Sequence, residues 1–105
     1  AALVADSEIV IDRPKGSRHP RFPEVIYILD YGYLAGTQAG DGACIDVWLG
    51  SAGDRDVTGI VCTVDVGKRD AEIKVLLGCT PEDVTAITAF HSRGNQTAFA
   101  VPKPS

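Results

Sequence analysis

Residues 57–77 read VTGIVCTVDVGKRDAEIKVLL. β-Branched residues crowd both ends, and a short polar stretch, KRD, lies between them. Such composition fits a pleated, partly buried surface. The polar stretch punctuates it into two strands, 57–67 and 71–77, joined by a turn. Before them, CIDVWLG (44–50) reads as another strand, closed by the turn SAGDRD. Further upstream, EVIYILDYGYL (24–34) is rich in β-branched and aromatic residues and predicts a central strand. The loop AGTQAGDGA follows, where Gly36, Gly40 and Gly42 supply permissive backbone. LVADSEIVID (3–12) suits an opening strand, and QTAFAV a short closing one. Between the first two strands, RPKGSRHPRFP (13–23) holds three prolines and predicts a loop with extended character.

One helix interrupts this pattern. Thr80 suits the N-cap and Pro81 the first helical position, while Glu82 and Asp83 complement the helix dipole. The helix is expected to run to about His91, to bury Val84, Ile87 and Phe90, and to stop near Gly94. Five or six strands, one late helix and no β-α alternation predict a mainly β domain. The expected architecture is a small closed OB-like antiparallel barrel with one C-terminal helix, a single domain over residues 1–105.

The totals narrow the function classes. With 14 acidic against 10 basic side chains the net charge is −4, so the surface as a whole repels polyanions. That argues against nucleic acid and anionic membrane as partners, as does an aromatic content of 7% for stacking. Cys44, Cys62 and Cys79 are odd in number and widely spaced, and they read as buried or half-buried thiols of a reducing cytoplasm. No apolar run approaches the ~20 residues that span a bilayer, and no signal peptide is visible.

Charge is unevenly placed. Arg13, Lys15, Arg18 and Arg21 fall in one loop with His19, whereas acids gather at Asp41 and Asp46 and again at Asp65, Asp70 and Glu72. Phosphate oxygens favour Arg and Lys, and hard divalent cations favour carboxylate oxygens. Both clusters on one small domain are what a metal-phosphate site needs, and also what ordinary solvated loops look like. Asp46 stands inside a strand between large apolar neighbours. Strict alternation would turn it to solvent and Ile45 and Val47 to the core; otherwise it is a charge held for a purpose. Tyr31 and Tyr33 share one strand face around Gly32, and Lys74 would by default be an exposed strand lysine.

At these residues the sequence resembles the soluble (family I) inorganic pyrophosphatases, as a short and diverged member. The stretch IVIDRPKGS is similar to that family's opening strand and loop. YILDYGYLAGTQAGDGACIDV resembles its signature, in which N-Y-G-Y-I leads to a loop of the form D-G-D-P-x-D. DAEIKVLL resembles the segment that brings further acids and a lysine to the metals, and the order agrees over most of residues 9–90. The resemblance implies Mg²⁺-dependent hydrolysis of pyrophosphate or a related phosphoanhydride, with Mn²⁺ as a substitute cofactor. It implies Asp41, Asp46, Asp70 and Glu72 as metal ligands, with Asp46, Tyr31 and Lys74 catalytic. Tyr31 and Lys74 would also bind substrate, and Asp12 falls where the family has an acid. Lys15, Arg18 and Arg21 are the cations available to the substrate phosphates. The implied partner is a small phosphorylated molecule, in a cytoplasmic protein compatible with homo-oligomers.

The chain departs from the family pattern in places that matter to chemistry. The central acid of the signature, the family's general base, is Ala43 here, and the following proline is Cys44. Asp30 replaces the Asn before Tyr-Gly-Tyr, and the segment between Asp12 and Tyr27 is shorter than in full-length members. FHSRGN stands where the family has a Tyr-Lys pair on the late helix. A second expectation therefore accompanies the first: a pyrophosphatase-like domain that binds phosphate or nucleotide without hydrolysing it.

Overall fold

The computed structural model describes residues 7–40 and 42–104. Six strands, β1 (Ile9–Arg13), β2 (Asp30–Leu34), β3 (Ile45–Leu49), β4 (Val57–Asp65), β5 (Asp70–Leu77) and β6 (Gln96–Pro102), form one sheet. A single helix among the described residues, α1 (Pro81–His91), stands between β5 and β6. The mainly β class and the late helix are as the residue pattern predicts.

The sheet order is β1-β2-β3-β5-β4-β6. Two features of the expected barrel are corrected. The sheet is not closed, since β1 and β6 are its two ends, and it is mixed, since β3 pairs with β5 in parallel. The physical reason lies in the connection over 50–56. Gly50 N–H donates to the Leu77 carbonyl and Ala52 N–H to the Gly78 carbonyl, which fastens the end of β3 to the end of β5. β4 then enters on the far side of β5 and returns through the turn at 66–69, so β5 runs in the same direction as β3.

The predicted second strand is also shorter than expected. Only Asp30–Leu34 enters the ladder, and residues 24–29 fold back on the preceding loop. Arg18 and Ile26 form an isolated bridge, Tyr27 N–H donates to the Ser17 carbonyl, and Gly16 N–H donates to the Tyr27 carbonyl. Pro20 and Pro23 end regular pairing there, because neither offers an N–H. β1 likewise covers only part of its predicted span, and residues 1–6 lie outside the described residues.

Both faces of the sheet are packed. On one, Trp48, Val61 and Leu76 join Tyr27 and Ile87 of the helix; on the other, Leu34, Val47 and Leu77 form a second cluster. Val47 and Trp48 are adjacent in sequence and both fully buried. Asp46 therefore cannot be read by simple alternation: its face is the one that carries Trp48 and the helix. Gly32 lets β1 lie close on β2, since a Cβ there would overlap the Val10 carbonyl oxygen. The radius of gyration is 13.1 Å, as expected for a compact chain of this length.

The helix start is built as its residues predict. Thr80 and Asp83 form a reciprocal capping box, with Pro81 in the first turn. Asp83 also accepts from Ser51 N–H at 2.8 Å and from the Ser51 hydroxyl, which ties the helix to the loop after β3. Ile87 is buried, Val84 and Phe90 are half-buried, and His91 is buried in addition.

Candidate functional site

Four of the sequence-predicted residues meet at one place. Tyr31 donates its hydroxyl proton to Asp46 Oδ2 at 2.8 Å. Lys74 Nζ donates to Tyr31 Oη at 2.9 Å, to Asp46 Oδ2 at 3.2 Å and to Glu72 Oε2 at 3.0 Å. Strand register makes this meeting. Tyr31 pairs with Trp48 and Tyr33 with Asp46 across β2 and β3, and Trp48 pairs with Leu76 across β3 and β5. Two residues back along that parallel register, Asp46 comes beside Lys74, and Glu72 lies on the same face two residues further on.

Lys74 is only 6% exposed, so it is not the exposed strand lysine its neighbours suggest. Burial opposes its charge, but Tyr31, Asp46 and Glu72 outweigh it and hold the ammonium pKa above its ordinary value. Burial also raises the Tyr31 phenol above its ordinary range. At neutral pH the group is thus a fixed cation and a neutral phenol. Asp46 and Glu72 each engage Lys74 through one oxygen, and their side chains are 38% and 45% exposed.

This tetrad forms one wall of a cleft of ≈ 630 Å³. The cleft gathers further basic side chains, of which the sequence pattern singled out only Arg13 and His19 of the basic loop. Arg13, Lys68 and Arg93 line it, as do His19 and His91. Arg13 is held in place by its bond to Tyr27 Oη at 2.9 Å. Of the loop cations expected to meet phosphate, Arg21 joins Arg13, His19 and Lys68 in a smaller depression. Arg18 donates instead to the Pro23 carbonyl at 2.9 Å, and neither it nor Lys15 lines the cleft. Asp12 lines the cleft.

The expected metal set is only partly assembled. Asp46 and Glu72 are neighbours, while Asp70 is exposed at the turn end of β5, opposite Asp65, and does not line the cleft. Asp41 lies outside the described residues. Among the described residues no three His, Cys, Asp or Glu side chains are grouped for a metal. Ala43 lines a separate, mainly apolar groove that shares Asp46 and Glu72 as its rim.

His91, like Lys68 and Arg93, is a site residue that sequence reasoning missed. Trp48 Nε1–H donates to His91 Nε2 at 3.0 Å. Indole nitrogen is a donor only, so the imidazole proton resides on Nδ1. Burial, with help from Lys74 and Arg93, pushes the His91 pKa down to about 3, so the ring is neutral. Its place at the end of α1 was legible, but its pairing with Trp48 spans 43 positions and has no local sign.

The three cysteines are free thiols, with Cys79 buried and pushed up to about 11 by burial and by Asp83. No helix among the described residues is long and apolar enough to cross a membrane. Compared with protein-family models, curated proteins and solved structures, the chain matches none. What the geometry shows is the Tyr31–Asp46–Lys74–Glu72 network itself.

Proposed function

We propose that the cleft binds a diphosphate group and hydrolyses its anhydride bond, with inorganic pyrophosphate or a related phosphoanhydride as substrate and Mg²⁺ or Mn²⁺ as cofactor. The observation that carries this reading is the buried ammonium of Lys74, bonded at once to Tyr31, Asp46 and Glu72 on the wall of a cleft that Arg13, Lys68 and Arg93 line together with Asp12, Glu24 and Asp65.

The donor set suits a hard divalent ion. Mg²⁺ commonly takes one or two carboxylates and completes its shell with water and substrate phosphate. Asp46 Oδ1 and Glu72 Oε1 have no protein partner among the described residues, and these two residues would hold the ion. When bound, such an ion supplies charge neutralisation at phosphate oxygens and lowers the pKa of water. The chain's own residues supply the rest. Lys74, fixed by three acceptors, offers positive charge to the departing phosphate without reorganising. The Tyr31 hydroxyl orients Asp46, whose carboxylate accepts the proton of the attacking water. Arg13, Lys68 and Arg93 attract and orient the phosphates.

A second reading draws on the incomplete acid set. With Ala43 outside this cleft and Asp70 away from it, the cleft would bind phosphate without hydrolysis. Phosphate release from pyrophosphate by highly purified protein, with and without Mg²⁺ and Mn²⁺, separates the two. Hydrolysis that needs metal and falls at least ~10²-fold in Asp46→Asn supports the enzyme. Release unchanged by Asp46→Asn, or none from a protein that still binds pyrophosphate, favours the binding domain.

A further inference from the structure

Phe22 is 50% exposed, yet its loop is firmly built. His19 Nδ1 accepts from Arg21 N–H at 3.0 Å and from Phe22 N–H at 3.2 Å. Val25 N–H donates to the Phe22 carbonyl at 2.9 Å, and His19 N–H donates to the Val25 carbonyl at 2.8 Å. These bonds hold the ring at the cleft's rim rather than leaving it to find cover. From there an aromatic strip leads inward. Phe22 lies 5.2 Å from the His19 ring, and His19 stacks on Tyr27 at 6.2 Å with 9° between planes. Tyr27 is 5.5 Å from Tyr31, which bonds Lys74.

A bare diphosphate has no use for this strip. It presents no apolar surface, and Phe22 and Val25 offer it nothing. The cleft's ≈ 630 Å³ falls instead in the range of sites that take drug-sized organic ligands. Arg13 and Lys68 line the cleft beside the rings, so an anion with an aromatic end meets both kinds of wall. Ring stacking on an exposed aromatic accepts any nucleobase, because each has a π-face.

We infer that the cleft takes a nucleoside diphosphate or triphosphate, its base stacked on Phe22 and its phosphates toward Lys74. This rests on the phosphoanhydride reading above and narrows its substrate class.

Calorimetric titration with adenosine diphosphate, methyl diphosphate and pyrophosphate, each with Mg²⁺, tests it on the full chain. Methyl diphosphate carries the same anhydride without a base. The expected result is adenosine diphosphate binding about tenfold tighter than methyl diphosphate, the scale of one base stacked on one ring. Phe22→Ala should abolish that preference without weakening methyl diphosphate, and Phe22→Trp should restore it. Because Phe22 is exposed, these variants leave the core intact. Equal affinity for the two diphosphates, or a preference that survives Phe22→Ala, overturns the inference and leaves the phosphoanhydride reading standing. Failure of all three ligands to bind overturns both.

Discussion

Lys74 and Gly32 show how much one position decides. The ammonium is buried, but its carboxylate partners are more than a third exposed and rehydrate easily if it is lost. Lys74→Met is therefore expected to cost only about 1 kcal/mol of stability. Phosphate release should nonetheless fall about 10²-fold, the usual consequence of removing one preorganised charge or donor. Thermal unfolding and steady-state hydrolysis on the same preparation check the two halves separately. Gly32 shows the opposite pattern. Its missing side chain faces backbone, and backbone cannot swing aside. Gly32→Ala should cost about 3 kcal/mol in denaturant unfolding, at the upper end for overpacking. A loss under 1 kcal/mol would mean that β1 does not approach β2 as described.

At the scale of elements, the helix start carries the connection between sheet and helix. Asp83 takes bonds from Thr80 N–H, Ser51 N–H and the Ser51 hydroxyl while nearly buried. Burial alone would raise its pKa, but the bonds from Ser51 and Thr80 outweigh it and hold the carboxyl below its ordinary value. Such a group stabilises the fold fully above its unfolded pKa of about 4 and loses that effect as the pH falls through the lower folded value. Asp83→Ala should cost about 2 kcal/mol at pH 7, the high end for an N-terminal capping residue, because Ser51 also loses its partner. Helix content by circular dichroism should fray with it. Asp83→Asn should flatten the pH dependence of stability below about pH 4. A wild-type and variant difference that does not change between pH 5 and pH 2.5 would remove Asp83 from this role.

For the molecule as a whole, His91 carries the larger of two downward histidine shifts, His19 having the smaller, and both make stability fall in mild acid. The folded state keeps the ring neutral down to about 3, whereas the unfolded chain takes a proton near the ordinary value of 6.5. Below 6.5 the unfolded state thus binds the extra proton, and stability falls as pH drops toward 3. The slope attributable to His91 is up to about 1.4 kcal/mol per pH unit through this window. His91→Gln keeps an acceptor for the Trp48 indole and removes the titration. Its urea midpoint should accordingly be far less sensitive between pH 6.5 and 4 than that of wild type. Parallel profiles for the two proteins would show that the ring is not held neutral.

The residue order was enough for what depends on near neighbours. The strands read at 57–67 and 71–77, the Thr80–Asp83 helix start and the Tyr-Gly-Tyr strand were legible because propensity, capping and turn chemistry act over a few positions. The convergence of Tyr31, Asp46, Glu72 and Lys74 was expected from a resemblance, and no local pattern could have produced it. Tertiary structure alone decided which residues share the cleft. It chose Arg13, Lys68 and Arg93 over Lys15 and Arg18, and it left Asp70 out of the cleft's lining. It also made β3 and β5 parallel, put Asp46 on a packed face, and joined His91 to Trp48. The reason is physical: strand pairing and the packing of both sheet faces depend on how distant segments bury each other, and alternation within one strand carries no record of its partner.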